Sequence, residues 1–103
     1  MNRRTSSRAK VDLLINRFLD GQPYMCRMTD ISPTGLRLVP LLEPKHATPY
    51  MGLQFQLPGV ATILTASAVA VDGSTSEDAS TGVRFTSLPA ECESVIRRFV
   101  ESN

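Results

Sequence analysis

Residues 52–57 read Gly52-Leu53-Gln54-Phe55-Gln56-Leu57. Leu53, Phe55 and Leu57 alternate with Gly52, Gln54 and Gln56, the period of two that turns one set of side chains toward a core and the other toward water. Outward from this stretch the pattern persists as short apolar runs punctuated by Gly, Pro, Asp and Ser, and no helical period is sustained until the last fifteen residues. The chain therefore reads as mainly β, with strands expected near 11–19, 24–31, 35–39, 52–57, 60–71 and 82–87. Asp20-Gly21-Gln22-Pro23, Pro58-Gly59 and the polar segment from Asp72 to Thr81 read as hairpin connections. Pro40, Pro44 and Pro49 make residues 40–51 a longer surface loop, because proline opposes both a helix and a central strand.

The tail follows a different rule. Cys92, Val95, Ile96, Phe99 and Val100 recur at helical spacing, with Pro89 in the first turn, Glu91 and Glu93 near the amino end and Arg97 and Arg98 toward the carboxyl end. These signals agree on one amphipathic helix over about residues 89–102, whose apolar stripe must cover the end or flank of the β structure. The 103 residues, 42% hydrophobic and 20% charged, suit a single globular domain. Six strands in so small a chain favour closure into a barrel, which removes exposed edges. Residues 1–10 hold Arg3, Arg4, Arg8 and Lys10, no acid and no large apolar side chain beyond Met1, and are expected to form a flexible basic arm ahead of a barrel at 11–103.

Composition excludes several classes. Eleven basic residues against ten acidic ones leave a formal charge of +1, so bulk charge does not hold this chain to nucleic acid or a membrane. Any anion site has to be local. Cys26 and Cys92 lie far apart in no metal or redox spacing, which removes zinc fingers, redox dithiols and disulfide scaffolds, and both are expected to be buried filler in a reducing compartment. Residues 46–71 carry no formal charge, yet Pro49, Gly52, Gln54, Gln56, Pro58 and Gly59 interrupt them and argue against membrane insertion. Asp12, Asn16, Arg17 and Asp20 break the apolar run a signal peptide needs, so a cytoplasmic protein is expected.

Little in the inventory supports catalysis. The single His46 stands in a Pro-rich loop, and Asp72, Glu77 and Asp78 read as the solvated face of a polar turn. No glycine-rich phosphate loop, metal-ligand cluster or cofactor signature is present. Arg17, Arg27, Arg37 and Arg84 fall in strands, where any could line the outer wall of the barrel beside a ligand, and a simple solvent-facing role is expected for each. Two features remain. Arg4 and Arg8 form an RxxxR pair preceded by Arg3, and Asp30-Ile31-Ser32-Pro33-Thr34-Gly35 has the form DxSxxG between two strands. At average residue usage an RxxxR arises by chance in about one such chain in four, and a DxSxxG in about two or three per hundred. Alone the turn motif also has a plain reading, since any β-turn selects Asp, Ser, Pro and Gly.

The combination is more specific. RxxxR in a leading arm, DxSxxG about twenty residues later, Gly35-Leu36-Arg37-Leu38 directly after it, Gly82-Val83-Arg84-Phe85 in a last strand and then an amphipathic helix resemble the PilZ domain over essentially the whole chain. The resemblance implies an all-β fold, a six-stranded antiparallel barrel with a carboxyl-terminal helix. It also implies a bacterial, non-enzymatic receptor for the second messenger cyclic di-GMP. The implied ligand-binding positions are Arg3, Arg4, Arg8, Asp30, Ser32 and Gly35. An arginine directly before RxxxR accompanies binding of an intercalated ligand dimer in that family, and Arg3 holds that place.

Chemistry agrees with the resemblance. Guanine presents acceptors O6 and N7 on one edge and donors N1 and N2 on another, so a guanidinium fork suits the first and a carboxylate such as Asp30 the second. Arginines also pair with phosphodiesters and stack on purines. Ser32 can bond the turn backbone or the ligand, and Gly35 either takes a positive φ or lets a base approach the backbone. A leader that orders on ligand would report occupancy to a downstream protein partner, in motility, secretion, polysaccharide export or transcription. Two alternatives stand against this reading. One is a PilZ-like interaction module that binds no nucleotide. The other is a barrel for single-stranded nucleic acid, which the near-neutral charge and six aromatic residues disfavour.

Overall fold

The computed structural model describes residues 8–45, 48–71 and 80–103. Arg3, Arg4, His46, Asp72, Glu77 and Asp78, and with them most of the expected arm, lie outside the described residues. Among the described residues six strands are present: β1 (Ala9–Leu19), β2 (Gln22–Ser32), β3 (Gly35–Pro40), β4 (Tyr50–Phe55), β5 (Leu64–Ala70) and β6 (Thr81–Ser87). One helix, α1 (Ala90–Glu101), follows. The strands form a closed barrel in the order β1-β2-β3-β6-β5-β4, with every neighbouring pair antiparallel.

Local chemistry sets the strand ends. Asp20 and Gly21 alone join β1 to β2, with φ of 53° and 80°, the left-handed pair whose twist matches the flanking strands. The connection is thus shorter than the four residues expected, and Gln22 and Pro23 belong to β2. Proline is tolerated there because β2 pairs with β3 only from Cys26 onward. At Pro58-Gly59 the amide of Val60 bonds the carbonyl of Leu57 at 3.0 Å and Gly59 has φ of 75°, as proline and glycine require at the centre of a type II turn. The Gln56 side-chain amide then donates to the carbonyls of Val60 and Ala61, at 2.9 and 3.1 Å. These bonds satisfy the backbone outside a ladder, so β5 starts at Leu64 and not near residue 60.

The alternation that opened the sequence reading survives in the fold. Met51, Leu53, Phe55 and Leu57 are buried while Gln54 and Gln56 are exposed. They join Ile15, Leu19, Met28, Ile31, Leu36, Leu38, Leu64 and Val83 in one core. β1 begins two residues before the expected 11, and Ala9 enters the same core opposite Ile31. Cys92, Ile96 and Val100 bring the buried face of α1 onto that core. Pro89 precedes the helix instead of lying in its first turn, with ψ of 144°, and its carbonyl accepts the first helical bond, from Glu93. Glu93 also pairs with Arg97 at 2.8 Å, one turn on. No helix among the described residues is long and apolar enough to cross a membrane.

One inward position is charged. Arg17 lies between Ile15 and Leu19 on the inward set of β1 and is only 7% exposed, which overturns the solvent-facing expectation for it. Its Nη2 donates to the Leu42 carbonyl at 3.2 Å and to Glu43 Oε1 at 2.9 Å, tying the segment after β3 to the barrel. Its Nε has no hydrogen-bond partner among the described residues. Burial pushes the neighbouring Cys26 thiol up to about 11, against the opposing pull of the Arg17 charge. Both cysteines are buried and unpaired, as filler should be. Arg27 stays on the outer face in an ion pair with Asp12, and Arg84 is exposed.

Candidate functional site

The DxSxxG segment forms the β2–β3 hairpin, with Ser32 paired to Gly35 across the two-residue turn Pro33-Thr34. Ser32 is fully buried. Its Oγ donates to the Gly35 carbonyl at 3.3 Å, accepts from the Thr34 amide at 3.3 Å and meets the Thr34 hydroxyl at 3.1 Å. Between the options left open by the sequence, Ser32 therefore bonds the turn backbone in this structure. Gly35 has another reason again. A Cβ there would stand 2.0 Å from the Val83 carbonyl oxygen, so glycine is what lets β6 close against the hairpin. The Phe85 amide bonds the Thr34 carbonyl at 2.9 Å and locks the turn to β6 from the other side.

This rigid corner presents Asp30. Arg8, the last arginine of RxxxR, places Nη2 3.3 Å from Asp30 Oδ1, and the two side chains are 43% and 17% exposed. The contact lacks hydrogen-bond alignment, so the sheltered Oδ1 has no donor among the described residues. In register, Asp30 stands opposite Lys10 on β1 and Arg37 on β3, and directly opposed residues share a sheet face. Arg37 is itself held at Ser80, Nε to Oγ at 3.0 Å and Nη2 to the carbonyl at 3.4 Å. The half-buried carboxylate thus has Arg8 in contact and the basic residues Lys10 and Arg37 opposite it in register. Such a corner suits a molecule that combines negative charge, for the cations, with N–H donors, for the acid.

The fold brings together four of the six implied site residues: Arg8, Asp30, Ser32 and Gly35. Arg3 and Arg4 lie outside the described residues. The sequence reading did not anticipate Lys10 opposite Asp30, and it named Arg37 only as one of four strand arginines that could line the outer wall. Their signal was available for Arg37, since counting outward from a two-residue turn sets Ser32 against Gly35, Ile31 against Leu36 and Asp30 against Arg37.

The family model of the PilZ domain matches residues 2–102. Among solved structures, the fold is similar to that of the Bacillus subtilis inhibitor of motility MotI/DgrA, with a TM-score of 0.79 at 14% sequence identity over 99% of this chain and 51% of that one. The chain thus spans about half the length of that protein. No curated protein matches the sequence.

Proposed function

The chain belongs to the PilZ domain family, a non-enzymatic receptor family whose members typically bind cyclic di-GMP, and from that premise we propose that it is a cyclic di-GMP receptor acting at the Asp30 corner. One observation carries the reading: the RxxxR arginine and the DxSxxG aspartate, 22 positions apart in sequence, meet at 3.3 Å on the barrel wall. The pair is exchangeable. With Arg8 43% exposed, such a bridge is worth about 1 kcal/mol or less, so a ligand offering better partners to both groups displaces it at small cost. Asp30 accepts from guanine N1 and N2, while Arg8, joined by Arg3 and Arg4, meets O6, N7 and the phosphodiesters. Ser32 and Gly35 hold the corner rigid beneath the ligand.

In this mechanism the ligand draws the part of the expected arm ahead of Arg8, with Arg3 and Arg4, against the wall beside Asp30 and creates a surface that a downstream protein reads. Arg3 supports two ligand molecules per chain. Isothermal titration tests the whole: micromolar or tighter binding of cyclic di-GMP is expected, with GTP failing to compete at equal concentration. Absence of heat and affinity on folded protein overturns the assignment, and saturation at one equivalent overturns the dimer alone. Limited proteolysis tests the clamp. Saturating ligand is expected to slow cleavage after Arg3, Arg4 and Arg8, and an unchanged rate refutes it.

A further inference from the structure

β1 is an incomplete neighbour to β4. The two strands pair only where Asn16, Arg17 and Phe18 face Gln54, Leu53 and Gly52. Ala9–Ile15 consequently have β2 as their only strand partner among the described residues, and the outer edge of this half of β1 offers backbone donors and acceptors to a further strand. A groove of about 630 Å³ runs beside that edge, between it, the turn after β4 and helix α1. Val11, Val60, Val95 and Phe99 supply its apolar surface, and Lys10 and Arg98 are its charged residues.

Apart from Thr62, the other polar side chains of the groove are committed. Ser102 Oγ donates to the Arg98 carbonyl at 3.0 Å and Asn103 Nδ2 to the Phe99 carbonyl at 2.6 Å, closing the helix end on itself. The carbonyl of Val60 already receives Gln56. Lys10 and Arg98 form no ion pair with any described residue, and both are exposed. The cleft therefore combines an open strand edge, an apolar floor and two exposed positive charges in no ion pair with a described residue. An extended peptide uses all three features at once.

We propose that this groove docks an extended segment of a partner protein, apolar on alternate residues and acidic between them, which adds as a strand to the Ala9–Ile15 edge and meets Lys10 and Arg98 with its carboxylates. Lys10 joins the docking site to the ligand site, because the same residue stands opposite Asp30 in the β1–β2 register. Cyclic di-GMP at Asp30 then alters peptide affinity. That coupling rests on the receptor function proposed above, whereas the docking itself does not.

The test uses two synthetic eight-residue peptides, one alternating valine with glutamate and the other valine with lysine, titrated into the full chain. The glutamate peptide is expected to bind at least about tenfold more tightly and to weaken as salt rises. It should slow hydrogen exchange at amides within residues 9–15, and Arg98→Glu should abolish the preference. Arg98 lies outside the ligand corner, so cyclic di-GMP affinity measured on the same variant should be unchanged, which separates failure of the groove from failure of the receptor. Equal binding of both peptides, no binding of either at millimolar concentration, or protection elsewhere would overturn docking here. Self-association through the 9–15 edge in sedimentation would assign the groove to a second copy instead. An affinity identical with and without saturating cyclic di-GMP, on protein that binds the nucleotide, refutes the coupling.

Discussion

Two arginines near opposite ends of β1 meet carboxylates in opposite ways. At the hairpin corner the cation is outside and the acid sheltered, with Arg8 43% and Asp30 17% exposed. Below the barrel rim the cation is inside and the acid outside, with Arg17 8% and Glu43 56% exposed at the side chain. Position decides what each pair can do. Withdrawal of Arg8 exposes a carboxylate that still needs a donor, which is the property of an exchangeable site. Withdrawal of Glu43 leaves a buried guanidinium behind, so that pair serves as an anchor for the segment after β3.

Mutations should separate the two places, and the largest effect is expected from the framework under the corner. Gly35→Ala drives a methyl group into the Val83 carbonyl, and urea denaturation should show a loss of about 3 kcal/mol or more. A loss below about 1 kcal/mol would mean that β6 gives way easily and that the corner is less rigid than its hydrogen bonds imply. Asp30→Ala comes next, with the effect in binding: cyclic di-GMP affinity falls about 100-fold, or about 2.7 kcal/mol, by titration while stability changes by less than about 1 kcal/mol. An unfolded Asp30→Ala protein would erase the contrast between exchangeable and anchoring pairs.

Arg17→Ala should do the reverse, lowering stability by about 2 kcal/mol with ligand affinity unchanged, because it removes packing and the tie to Leu42 and Glu43. Arg17→Met should recover most of that loss if filling the inward position matters more than the charge. The smallest effect is a pH dependence at the same end. Burial raises the Cys26 thiol from 9.0 to about 11, so the folded state disfavours its ionisation relative to the unfolded chain. The associated stability is complete below pH 9 and is lost as pH rises from there toward 11. Thermal melts across that window should fall less steeply for Cys26→Ala than for the parent protein.

The barrel was legible because its evidence is local. Alternation at 52–57, the Asp20-Gly21 turn and the helical stripe from Cys92 to Val100 each declare themselves within a few residues. Contacts at the corner were legible only through paired motifs, since Arg8 and Asp30 signal a site together and not singly. Arg17 was misread for an instructive reason. Its parity with Ile15 and Leu19 points inward, but a charged side chain argues for water, and the partner that settles the conflict, Glu43, lies 26 residues away in a Pro-rich loop. Strand β5 began late because Gln56 satisfies the backbone of the preceding turn, a long side chain's choice that no periodicity records.

The seam between Gly35 and Val83 imposes an order on synthesis. A nascent chain leaving the ribosome presents Arg8, Asp30 and the whole hairpin first, but β6, against which that hairpin is fastened, is translated only after β4 and β5. Until residues 81–87 emerge, the hairpin has no backing. Premature termination before that point leaves every residue of RxxxR and DxSxxG in place and no platform to hold them.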